Sequence, residues 1–84
     1  MKANASEFIE ALHRQYQADR STGVYHLPML KTGKDWRPVL KVAAGERVVL
    51  VSTAEGTSAY PVEQCPVIIR RANPEFQKDP VFVY

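Results

Sequence analysis

Residues 46–53, Glu-Arg-Val-Val-Leu-Val-Ser-Thr, are the most apolar continuous run in the chain. Val48, Val49 and Val51 are β-branched and fit a pleated surface better than a helix. The run is short and lies between Gly45 and Gly56, so it predicts a strand. Four consecutive apolar residues leave neither face polar. That predicts the middle strand of a small sheet, covered on both sides at its centre.

Residues 4–20 carry a different period. Ala5, Phe8, Ile9, Leu12 and Tyr16 fall on one stripe, and Glu7, Glu10, Arg14 and Gln17 lie largely away from it, as in an amphipathic helix. Asn4 is the expected N-cap with Glu7 three residues on, and Ser6 competes for that role. Glu10 and Arg14 have the spacing of a surface ion pair. Acids early and Arg14 and Arg20 late suit the helix dipole, and residues 21–23 end the helix. Such a helix is marginal alone, so its stripe must lie on the sheet.

The remaining chain reads as short strands. Val24 to Leu27 predicts a strand that Pro28 limits or confines to an edge. Residues 31–35 form a polar turn around Gly33, and Trp36 to Val42 resumes an extended pattern. In it Arg37, Val39 and Lys41 point one way and Trp36, Leu40 and Val42 the other. Residues 43–45 then close a hairpin spanning 36–52. Residues 54–61 read as a loop, with Pro61 opening a helical turn through Gln64. Pro66 holds Cys65 extended. Val67 to Ile69 is another β-branched run, closed by Arg70 and Arg71. Asn73-Pro74 and Asp79-Pro80 mark turns, and Val81 to Tyr84 is a last short strand.

The expected fold class is therefore α+β. One N-terminal amphipathic helix packs on a small, mostly antiparallel sheet of about four or five strands. The same pattern fits a helix capping a curved, barrel-like sheet. Eighty-four residues make a single small globular domain over 1–84. A composition of 45% hydrophobic and 24% charged residues argues against disorder. No apolar run reaches the length that crosses a bilayer, and the N-terminus lacks the apolar core of a secretory signal. This predicts a complete small soluble protein, although a domain cut from a longer chain reads the same way.

Candidate chemistry is sparse. Cys65 is the single cysteine, which rules out an internal disulfide and suits a reducing, cytoplasmic location. It reads as a small buried apolar residue. No phosphate loop, dinucleotide fingerprint, nucleophile elbow or zinc-protease motif is present. The chain is accordingly read as non-enzymatic, with no metal and no cofactor. An enzyme built on His26 or Cys65 remains the third reading. His13 sits on the helix between its stripe and its polar face.

The net charge of +2 changes the picture only locally. Lys31, Lys34, Arg37, Lys41 and Arg47 crowd one segment around Trp36, opposed by Asp35 and Glu46. Such a surface meets an acidic protein or a nucleic acid, whose phosphates pair with cations and whose bases stack on rings. Alternation places Trp36 opposite Arg37, which favours a core role for the ring. Val81, Phe82, Val83 and Tyr84, if not docked within the chain, would be an edge open to strand addition or self-association. The leading expectation is a non-catalytic binding module that occupies a surface of a larger protein partner. A nucleic-acid-binding protein using the 31–47 hairpin is the alternative.

Overall fold

The computed structural model describes residues 4–22, 26–72 and 79–84. The expected beginning of the first strand at Val24 and Tyr25, the helix-ending Gly23 and the Asn73-Pro74 turn lie outside the described residues. Helix α1 (Ala5–Ser21) begins where its cap dictates. The Glu7 N–H donates to Asn4 Oδ1 at 2.7 Å, and Glu10 pairs with Arg14. At the other end the Ser21 and Thr22 hydroxyls donate to the carbonyls of Ala18 and Asp19, each at 2.7 Å. Ala5, Ile9, Leu12 and Tyr16 are buried, so the predicted stripe is the packed face.

Among the described residues seven short strands follow: β1 (His26–Thr32), β2 (Asp35–Pro38), β3 (Lys41–Ala44), β4 (Val48–Thr53), β5 (Gly56–Pro61), β6 (Val67–Arg71) and β7 (Val81–Val83). They form a three-stranded sheet in the order β2-β1-β6 and a four-stranded sheet in the order β5-β4-β3-β7. All pairings are antiparallel except β3 with β7. The class is α+β as expected: one N-terminal helix packs on both sheets, and the sheets do not close into a barrel.

Four local expectations are corrected. Pro28 does not limit β1, which runs on to Thr32 as the central strand of its sheet. The Val39 N–H donates to the Pro28 carbonyl at 3.0 Å, so these two residues make a hydrogen-bonded pair in which only the return bond is missing. The next bond, from the Leu40 N–H to the Ser52 carbonyl at 2.7 Å, already belongs to the other sheet. Proline thus stands where the β1–β2 ladder ends and loses one bond.

The second correction concerns 36–42, which is two strands rather than one. The chain bends at Val39–Leu40 and passes from the first sheet to the second, so Val39 and Val42 are both buried. Strict alternation would have put Val39 outside with Arg37 and Lys41. The third is β5, expected as loop. Its residues are exposed except Tyr60, so no alternation marks it, and its ladder to β4 holds it.

The fourth correction bears on function. Val49 and Val51 are fully buried, but Val48 and Leu50 are only half-buried. The central strand is fully buried on one face and only partly covered on the other. Its buried face meets Ile9, Leu12, Leu30, Val39 and Val42 in the main core. A second cluster of Tyr16, Leu27 and Met29 lies beside it, with Trp36 and Phe82 packed against it.

The predicted β3–β4 hairpin is present, with Lys41 opposite Ser52 and Ala44 opposite Val49. Its turn is closed by the Gly45 N–H donating to the Val48 carbonyl at 2.9 Å. Arg47 takes the left-handed backbone there, with φ of 62°. Pro61 opens the expected single turn, a 3-10 helix over Val62–Gln64, and Cys65 is extended after it.

Candidate docking surfaces

The outward face of the four-stranded sheet is built by register. Val83 stands opposite Ala43, Ala43 opposite Leu50, and Leu50 opposite Ala59. Alternation puts all four on the side away from Val42, Val49 and Val51. They form one apolar row crossing four strands, roughly 14 Å at the usual strand spacing. The next row is Val81, Lys41, Ser52 and Thr57, in which the Ser52 and Thr57 hydroxyls bond at 2.8 Å. Val81 and Val83 are about half exposed, at 53% and 46%. Sequence reasoning named Val81 and Val83 but missed Ala43, Leu50 and Ala59. The signal was present in the Val-Val-Leu-Val run, which has an apolar residue for each face.

The C-terminal segment is docked within the chain, on β3 and against α1. Phe82 faces inward between the rings of His13 and Tyr16, with centroids at 4.4 and 5.6 Å. Tyr84 lies at the surface, 55% exposed, its hydroxyl 3.1 Å from His13 Nδ1. The Tyr16 hydroxyl donates to Asp79 Oδ1 at 3.0 Å, and Arg20 reaches the same oxygen at 3.3 Å. The strand β7 therefore forms an edge of the sheet with its inner side chain locked on the helix.

The five predicted cations are dispersed. Lys34 lies in the β1–β2 turn and Arg47 in the β3–β4 turn, at opposite ends of the bent β2–β3 arm. Arg37 is neutralised by Glu55 of the β4–β5 turn at 2.7 Å. Lys41 is exposed on the outward face of the four-stranded sheet. Lys31 stands opposite Trp36, with its ammonium 5.9 Å from the indole centroid. Arg70, expected only to close its strand, packs its guanidinium 4.3 Å from the same ring. Trp36 is half-buried and joins core packing to this cationic corner. Stacking a cation on an aromatic face is favourable even at an exposed site.

Two concavities are lined by described residues. One, of about 480 Å³, lies at the start of α1 and has Asn4, Arg47 and Glu63 in its wall. The other, of about 420 Å³, runs between α1 and β6. Neither contains His13, His26 or Cys65. Cys65 is half-buried. That burial raises its thiol above the usual range, against a smaller lowering by the Val67 N–H. Among the described residues no three His, Cys, Asp or Glu side chains are grouped to hold a metal, and no helix is long and apolar enough to cross a membrane. Comparison with family models, curated proteins and solved structures finds no match to this chain.

Proposed function

We propose that this protein is a non-catalytic module that acts in the cytoplasm by contact with a larger protein, using the outward face of its four-stranded sheet. The observation that carries this reading is the apolar row Val83, Ala43, Leu50 and Ala59, exposed at Val83 and Ala59 and half-buried at Ala43 and Leu50. A strand with the composition of β4 belongs between two covering layers, and among the described residues only one side is fully covered. A contiguous apolar face rimmed by polar residues, here Lys41, Ser52 and Thr57, is the ordinary mark of a protein–protein contact. Burying such a row removes apolar area from water at about 25 cal/mol per Å².

Affinity capture from the native host tests this, comparing the wild-type chain with Leu50→Lys and Val83→Lys. The expected result is a nuclease-resistant protein partner that both substitutions release. Capture that survives both substitutions in folded protein overturns it. A second reading has one observation in its favour, the Trp36 ring between Arg70 and Lys31. It assigns a nucleic acid to that corner, and it predicts nuclease-sensitive capture lost on Lys31→Glu with Lys34→Glu and falling steeply with salt.

A further inference from the structure

Strand β6 is an edge of its sheet with no further strand paired to it among the described residues, and α1 runs beside it. The groove between them is walled by Phe8, Ala11, Leu12 and Gln15 of the helix and by residues 67–69 of the strand. Ala11 is small and exposed, which leaves room between Phe8 and Gln15.

The backbone groups that face the groove follow from Pro28. Its carbonyl is turned toward Val39, so Leu27 and Met29 turn toward β6, and their partners Arg70 and Ile68 complete the β1–β6 bonds. Ile69 and Arg71 then direct their N–H and C=O groups outward. No described residue supplies these with a backbone partner. An open ladder beside an apolar trough is the geometry that binds an extended peptide as an added strand.

Charge selects the occupant. Arg70 and Arg71 close the strand and are both exposed. Among the described residues neither has a carboxylate in salt-bridge contact. We infer that the β6–α1 groove takes an extended segment of another protein, in which carboxylates precede alternating apolar residues. The added strand runs antiparallel to β6, so its leading acids meet Arg70 and Arg71 and its apolar residues enter the trough over Phe8 and Ala11. A second copy of β6, with the sequence Val-Ile-Ile-Arg-Arg, has no carboxylate to offer either arginine.

The site is separate from the outward sheet face and stands or falls without it. The test is an NMR titration of the full ¹⁵N-labelled chain with a synthetic peptide of two acidic residues followed by alternating valine and threonine. Saturable shifts centred on the amides of residues 67–71 are expected. Replacing the two acids by lysines should weaken binding at least fivefold, and Arg70→Glu with Arg71→Glu should reverse that preference. N-methylation of the peptide at the alternate amides facing β6 should weaken it at least tenfold, and at the other set less than twofold. Leu50→Lys should bind the peptide like wild type. Equal response to acidic and lysine peptides, no saturation at millimolar peptide, or the same shifts on raising protein concentration alone would overturn the assignment, the last in favour of a second copy.

Discussion

His13 stacks flat on Phe82, with ring centroids 4.4 Å apart and planes 9° from parallel. The contact joins residues from opposite ends of the chain and locks the last strand onto the first helix. Phe82→Ala removes a half-buried ring and is expected to cost about 2–3 kcal/mol in urea unfolding. His13→Ala is expected to cost less. A double-mutant cycle should give a coupling of about 0.5–1.5 kcal/mol, the usual range for an aromatic pair. Strictly additive losses would show that the stack contributes nothing beyond burial.

One-sided burial of β4 has a direct thermodynamic signature. Val49→Ala opens a cavity at a fully buried position and should destabilise by about 2 kcal/mol. Val48→Ala, on the outward face of the same strand, should cost below about 1 kcal/mol. Equal losses would mean that both faces are covered in solution.

The β3–β4 turn contains two opposed constraints. Arg47 occupies the left-handed region at φ of 62°, which costs an ordinary L-residue about 1–2 kcal/mol. Arg47→Gly relieves this but loosens the unfolded chain, so a small net gain of about 0.5 kcal/mol is expected, read as a raised Tm. Gly45→Ala goes the other way. Its new Cβ would stand 2.8 Å from Val48 Cγ2, a stiff β-branched group, and a loss of about 1–3 kcal/mol is expected. Val48→Ala in the same chain should recover most of it; a loss that persists would place the strain in the backbone.

Cys65 supplies one pH dependence. Burial raises its thiol pKa, more than the Val67 N–H lowers it. A raised folded value means that the folded state holds its proton longer than the unfolded state. Its contribution to stability is full below the unfolded thiol value, about pH 8.5, and declines as pH rises through the folded value. In native protein a disulfide reagent should modify Cys65 more slowly than it modifies the same thiol in urea. Equal rates at pH 8 would refute this.

Part of this architecture is legible in the sequence. The helix was written in Asn4, Glu7 and the Ala5–Tyr16 stripe, because capping and a 3.6-residue period are local. Strand β4 was written in its valines, and the helical turn after Pro61 in proline's fixed φ. Strand β5 was not legible, since an exposed edge strand has no alternation to display. Nor was the split between β2 and β3: a bend that carries a strand from one sheet to another resets which residues face inward, and Val39 alone does not reveal that.

The candidate surfaces divide the same way. That cations crowd 31–47 is a property of the chain, but whether they meet is a property of the fold, which pairs Arg37 with Glu55 and parts Lys34 from Arg47. The Trp36–Arg70 contact and the apolar row through Leu50 join residues far apart in sequence, and only strand register brings them together. The helix, its packed stripe, strand β4 and the α+β class can be read from the residues alone, because they rest on contacts within a few positions. Folding in three dimensions is what sets the exposed face of β4, the sheet edges and the pairing of charges among the described residues, because each depends on groups whose separation along the chain carries no information about their separation in space.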